Sequence, residues 1–285
     1  MRENELRKAY LDLLKKSLTD LLHLDNPYAN AMPLSRLRLA SPLKRWRNKI
    51  LERLAARSHI LLSRADRLTL EERRERRVKG TDWPPLAETM IGMARLDNIE
   101  KLAETILAES VPGDFIETGV WRGGATIFMS ALLKTHDVKD RRIWACDSFA
   151  GLPPPDAKKY PADAGDTHHE ISFLAVGLED VKENFRKYGL LDDRVRFVEG
   201  FFEKTLPSLR ENTFALLRID GDMYGSTFCA LENLYPRLSP GGFVIIDDYH
   251  AIGACKKAVG DFRKREGLLE PIEEIDGTGI YWRKA

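Results

Sequence analysis

Apolar and polar positions follow two rhythms along this chain. Over roughly the first 110 residues the rhythm is helical. Leu6, Tyr10, Leu13, Leu14, Leu18 and Leu21 recur at spacings of three and four, the stripe of an amphipathic helix. The segment "DNPYANAMP" interrupts it with prolines, and a very basic helical stretch is expected from about Leu43 to Arg77. "KGTDWPPLAETMIGMARLDNIEKLAETILAES" starts afresh, and its Pro84-Pro85 pair is expected near a helix start.

From Gly113 the rhythm shortens. "GDFIETG", "RRIWACD", "RVRFVEG", "FALLRID" and "GGFVIID" read as short buried strands. Between and after them "ATIFMSALLKTH", "GLEDVKENFRKYG", "EKTLPSLREN", "STFCALENLYPRL" and "GACKKAVGDFRKREG" read as helices. "PIEEIDGTGIYWRK" reads as a hairpin around Asp276-Gly277. Strands alternating with helices predict an α/β protein with a doubly wound, mostly parallel sheet covered on both faces, and the hairpin adds an antiparallel strand at its C-terminal edge. The expected division is a helical, basic extension at residues 1–80 and a sheet domain at 81–285.

Charge sharpens that division. The formal net charge is +1, but residues 1–80 carry 20 Lys and Arg against 10 Asp and Glu, and the remainder 25 against 34. A basic arm can grip nucleic acid or an anionic membrane surface, which would make the protein a binding module. Base recognition wants aromatics interleaved with arginine, and between Met32 and Gly80 the only aromatic residue is Trp46, so no nucleic-acid partner is expected. Three cysteines without a CxxC pair fit a reducing, cytoplasmic setting. No apolar run reaches the roughly 18–20 residues of a membrane span, and the charged first residues do not read as a secretory signal.

Candidate chemistry gathers at the strand ends. In "FIETGVWRGGAT", Glu117, Gly119, Gly123 and Gly124 span a strand-to-helix turn. A dinucleotide-binding turn has the form G-x-G-x-x-G, and here Trp121 stands at its second glycine. The pattern is closer to the loop that wraps the amino-acid end of S-adenosylmethionine. Asp147 ends the second strand, where an acid accepts ribose hydroxyls, and "VEGFFEKTLP" at the third faces an adenine. Asp220 ends the fourth strand, and Asp247 and Asp248 end the fifth. Neighbouring strands bring these three carboxylates to one cleft, where they repel unless a cation or a shared proton intervenes. An all-oxygen set favours Mg²⁺. Such an ion lowers the pKa of a bound hydroxyl, and Asp222 is placed to take the proton.

Taken together, "YLDLLKKSLTDLL", "WPPLAETMIGMARLDNI", "DFIETGVWRGGATIFM", "ACDSFAGLPPPD", "FVEGFFEKTLP", "LLRIDGDMYGST" and "GGFVIIDDYHAIGACKKAVGDFR" resemble the macrocin O-methyltransferase family, over Lys8–Leu24 and nearly everything from Thr81 onward. The resemblance implies a class I methyltransferase fold, S-adenosylmethionine and Mg²⁺ as cofactors, and methylation of a sugar hydroxyl on a glycosylated small molecule. It implies metal ligands at Asp220, Asp247 and Asp248, with Asp222 as base. It implies cofactor contacts at Glu117, Gly119, Arg122, Asp147, Ser148, Gly200, Phe201 and Phe202. Thr81–Met93 is expected to form part of a lid, and the protein a homodimer or higher homo-oligomer. Two features depart from the family pattern: the basic stretch from about Leu34 to Lys79 is long, and His250 stands where a glycine is expected, reading as a polar rim residue. His168 and His169 read as exposed residues of the long loop "FAGLPPPDAKKYPADAGDTHHE", which is expected to shape the acceptor pocket. A catechol or other phenol is the alternative acceptor, because vicinal phenolic oxygens chelate equally well.

Overall fold

Five parallel strands, four of them largely buried and one half-buried at the sheet edge, set the architecture. They are β1 (Asp114–Thr118), β2 (Ile143–Asp147), β3 (Val195–Glu199), β4 (Phe214–Ile219) and β5 (Leu238–Ile246), joined by β6 (Glu273–Glu274) and β7 (Ile280–Arg283) from the terminal hairpin. In the computed structural model, which describes residues 3–25, 32–33, 46–48, 50–51, 54, 63–64 and 68–285, they form one sheet in the order β3-β2-β1-β4-β5-β7-β6. The first five are mutually parallel, and β7 runs antiparallel to β5. A separate two-residue pairing joins Met32–Pro33 to Ser63–Arg64. The basic helical stretch expected from residue 43 lies largely outside the described residues.

The strands bury both faces by alternation. Phe115, Ala145, Leu216, Phe243 and Ile245 face one apolar layer. Ile116, Cys146, Leu217, Val244 and Ile246 face the other. The first layer is covered by α1 (Glu3–Leu18), α3 (Gly92–Ala108), α4 (Gly124–Thr135) and α5 (Leu178–Lys187), with α2 (Leu70–Lys79) packed on α3. The second is covered by α6 (Tyr224–Leu234) and α7 (Gly253–Glu266). The chain leaves β1 toward β2 on one side and returns to β4 on the other. The crevice outside the carboxyl ends of β1 and β4 is therefore the topological switch point, where open α/β sheets bind ligands.

The first helix belongs to this core. Leu11, Leu14 and Leu18 are buried in the layer over α4, and the buried Lys15 ammonium donates to Glu100 at 2.7 Å and also to Asp97, both on α3. The adjoining part of the expected apolar stripe, Leu6, Tyr10 and Leu13, is exposed instead. Behind α1, the buried Arg77 donates to the carbonyls of Thr19 (2.7 Å) and Asp20 (3.0 Å) and to the Asp82 carboxylate (2.8 Å).

The helix expected near Pro84-Pro85 begins later, at Gly92. The intervening backbone has tertiary partners instead. Glu88 and Thr89 donate their N–H groups to the Leu18 carbonyl, and the Glu88 carbonyl accepts from Gly124 at 2.9 Å. Arg122 takes the carbonyls of Pro85 and Ala87, each at 2.8 Å. With those groups already paired, a helical turn offers the segment nothing further.

If α1 is integral to the fold, Leu11→Ala should cost about 2–5 kcal/mol, as a large-to-small change in a filled core does. Urea unfolding would measure it as a lower midpoint at unchanged slope.

Candidate active site

At the switch point lies a cavity of about 670 Å³, walled by the tips of β1, β2, β4 and β5, by the 151–177 loop and by Gly80, Thr81, Trp83 and Met90. Its floor requires two backbones to touch. Gly119 has φ +88°, and a Cβ there would fall 1.8 Å from the Asp220 carbonyl oxygen, so no side chain fits. The Asp220 N–H donates to the Thr118 carbonyl and the Gly119 N–H to that of Cys146, both at 2.9 Å.

Asp147 organises the glycine turn. One carboxylate oxygen accepts from the N–H groups of Val120 (2.6 Å) and Trp121 (3.3 Å), the other from Phe149 (2.8 Å). The Ser148 hydroxyl donates to the Gly151 carbonyl at 2.6 Å, and Gly200 N–H donates to the Asp147 carbonyl at 2.8 Å. Of the eight expected cofactor contacts, Gly119, Asp147, Ser148, Phe201 and Phe202 line the cavity. Glu117, Arg122 and Gly200 stand behind its wall. Arg122 grips the 85–87 backbone and lies over the Trp121 ring at 4.4 Å. Glu117 is buried against Arg218 and the Thr126 hydroxyl, and burial lifts its pKa to about 7 even beside that arginine.

The acids meet, but in a different combination from the expected Asp220, Asp247 and Asp248. Asp220, Asp222 and Asp248 each present an oxygen, and these lie within 4.8 Å of one another. Asp247 also lines the cavity, but both of its oxygens are engaged: one accepts from Arg218 Nη2 at 2.5 Å and the other from Arg95 Nη1. Asp220 lies on the same face as Arg218 and Asp247; what sets Asp247 apart is that guanidiniums take both of its oxygens, while Asp220 gives Arg218 only one.

Charge at this corner is under-compensated on the cavity side. Burial, then repulsion from Asp220 and Asp222, raises Asp248 well above the usual carboxylate range. Burial and Asp220 push Asp222 up to about 7, against an opposing pull from His168. Asp220 is raised by burial and by Asp247. For Asp247 burial acts upward too, but Arg218 and Arg95 outweigh it and hold this acid below its ordinary value. One Asp248 oxygen is buried without a hydrogen-bond partner. Converging carboxylates with an orphaned oxygen have the chemistry to hold a hard divalent cation.

The acceptor-side loop is tied to the segment that carries these acids. Helix α6 begins two residues after Asp222, and its N-cap residue, Met223, has no oxygen to offer. Asp163 replaces it from the loop, accepting from the N–H groups of Tyr224 (2.6 Å) and Gly225 (2.9 Å). The Tyr160 ring lies flush on Gly225, where a Cβ would come within 2.5 Å of it, and its hydroxyl donates to Glu203 at 3.1 Å. In the same loop His168 lines the cavity, with Nδ1 2.7 Å from the Asp166 carboxylate. Trp83 stacks on Phe173, ring centres 5.9 Å apart. His250 is exposed and reaches Glu274 at 2.8 Å, on the rim.

Sequence reading missed Arg218, Arg95 and Asp163. Only Arg218 had a clear signal: a charged residue inside the otherwise apolar "FALLRI", two positions before Asp220 and so on the same face.

Comparison with known proteins gives consistent likenesses. The sequence profile of the family described as macrocin-O-methyltransferase (TylF) matches residues 7–284. The chain is 46% identical over 280 residues to the 8-demethyl-8-(2,3-dimethoxy-alpha-L-rhamnosyl)-tetracenomycin-C 4'-O-methyltransferase of Streptomyces olivaceus, across 98% of this chain and 94% of the other. It is 49% identical over 214 residues to the mycinamicin III 3''-O-methyltransferase of Micromonospora griseorubida, across 74% and 84%. The solved structure of the O-methyltransferase NovP superposes with a TM-score of 0.80 at 40% identity, covering 98% of this chain and 99% of that one.

Removing the cap from α6 with Asp163→Ala should cost about 1 kcal/mol, the usual worth of such a residue. Asp163→Asn, which keeps an accepting oxygen, should cost less. Thermal denaturation measures both, and faster limited proteolysis within 151–177 would report the released loop.

Proposed function

The chain belongs to the macrocin-O-methyltransferase family, and from that premise we propose which of its residues carry the reaction. The protein is an O-methyltransferase that takes its methyl group from S-adenosylmethionine and gives it to a hydroxyl of a glycosylated small molecule. The observation that carries the residue assignment is the meeting, in one cavity, of the Gly119 turn with the carboxylates of Asp220, Asp222 and Asp248.

The Gly119 turn would hold the cofactor's amino-acid end, Asp147 and Ser148 its ribose, and Phe201 and Phe202 its base. Asp220 and Asp248 would hold a divalent cation, Mg²⁺ by the hardness of the donors. Asp247 joins them only by sharing an oxygen that an arginine already holds. When bound, the cation supplies positive charge that lowers the pKa of an acceptor hydroxyl. Asp222 receives that hydroxyl's proton at a carboxylate oxygen. Trp83, Met90, Tyr160 and Phe202 shield the site from water.

The relatives act on a rhamnosyl tetracenomycin and on mycinamicin III, so the acceptor proposed here is a deoxysugar hydroxyl on a bulky apolar scaffold. Pro153, Pro154, Met223 and Ile252 provide an apolar wall for such a scaffold. The exposed Leu6, Tyr10 and Leu13 on α1 support homo-oligomerisation through that helix. No helix among the described residues is long and apolar enough to cross a membrane.

The experiment is transfer of labelled methyl from S-adenosylmethionine to rhamnosyl glycosides, read by mass spectrometry, with catechols as competitors. Product from glycosides is expected, and product from catechols alone would overturn the acceptor assignment. EDTA should abolish turnover and Mg²⁺ restore it. Asp222→Asn should lower kcat by roughly 10²–10⁴-fold, the range for loss of a general base, with KM for the cofactor little changed.

A further inference from the structure

Arg218 is the most deeply placed charge in the sheet. Its side chain is 1% exposed, one residue before the end of β4, and it touches an acid from each of three adjacent strands or their tips. Nη1 donates to Glu117 at 2.5 Å and to Asp220 at 3.0 Å, and Nη2 donates to Asp247 at 2.5 Å. The strand register makes this possible. Glu117 on β1 lies opposite Arg218, which lies opposite Ile245 on β5, and Asp220 and Asp247 follow two positions on. Residues two apart share a face, so all four side chains converge.

The acids differ in what they do next. Glu117 and Asp247 are buried and wholly engaged, Asp247 by Arg95 as well. Asp220 is held through one oxygen, and its side chain is 26% exposed at the cavity. A guanidinium serves three carboxylates because its donors form a rigid planar fork. An ammonium at the end of a lysine cannot be in three places.

We propose that Arg218 is a positioning residue for the cation site: it aims Asp220 into the cavity. This rests on the cation-dependent reading above. The residue touches neither cofactor nor acceptor and acts through Asp220. Charge alone predicts the opposite of what positioning predicts. Removing a positive neighbour would tighten cation binding by Coulomb attraction, whereas losing the aim of a ligand weakens it. Arg218→Lys keeps the charge and removes the fork, so it isolates geometry.

The test is titration of the purified full chain with Mn²⁺, followed by electron paramagnetic resonance, and separately with S-adenosylhomocysteine by calorimetry. The wild type should bind Mn²⁺, and a wild type that binds none sinks the cation reading itself. Given wild-type binding, Arg218→Lys should lose roughly 10–100-fold in Mn²⁺ affinity, the usual effect of removing a group that orients a metal ligand. Its S-adenosylhomocysteine affinity should stay within about twofold of wild type on the same reasoning. Unchanged or tighter Mn²⁺ binding overturns the proposal, and so does parallel loss of both ligands, which would mark a merely structural role. Should the lysine variant fail to fold, Glu117→Asp probes the same hub from its far side at constant charge. The shorter side chain withdraws one arm of the fork and lets the guanidinium shift, so Mn²⁺ affinity should fall while S-adenosylhomocysteine affinity holds; wild-type Mn²⁺ affinity there overturns the proposal equally.

Discussion

Burying like charges together is the constraint around which this protein is arranged. Glu117, Asp220, Asp222, Asp247 and Asp248 crowd the carboxyl ends of three neighbouring strands, and a low-dielectric corner tolerates that only with partners. Arg218 and Arg95 neutralise the inner acids, leaving the outer ones exposed to the cavity and hungry for positive charge. The sheet thereby sorts one acidic cluster into a spent half and an available half. Breaking one partner of such a network is far worse than never building it, because the remaining charge is stranded. The corner is therefore rigid by necessity, which is what a site that must hold reacting groups in register requires.

The cavity's other walls are fixed from a distance. Asp163 reaches from the acceptor-side loop to the first amides of α6, directly after Asp222, and Tyr160 seals against Gly225. A long loop with little regular structure thus gains a defined position at its midpoint, and the turn that strains Asp222 to φ +54° gains a neighbour that cannot drift. Acceptor recognition and proton removal share one mechanical support.

Much of this was legible in the chain itself. Strands covered on both faces announce themselves as short apolar runs, and their alternation with helices leaves few topologies. The glycine turn and the strand-end acids were visible because parallel sheets put ligands at those ends. That guanidiniums would take both oxygens of Asp247 was not visible, since Arg95 comes from a helix far away in the chain. The 81–91 segment misled because a proline pair reads as a helix start, while its true hydrogen-bond partners, Leu18, Gly124 and Arg122, are tertiary. The Asp163 cap was beyond local reading, being about sixty residues from the amides it serves. Arg218 was readable, and anomalous enough inside β4 to have been questioned.

The stitch between Leu18 and the backbone at Glu88 and Thr89 has its own consequence. The last turn of α1 is fastened to the stretch that carries Trp83 and Met90 over the cavity. The leading helix is thus less a handle than a rafter: whatever leans on its outward side bears, through a single carbonyl, on the ceiling under which the methyl group changes hands.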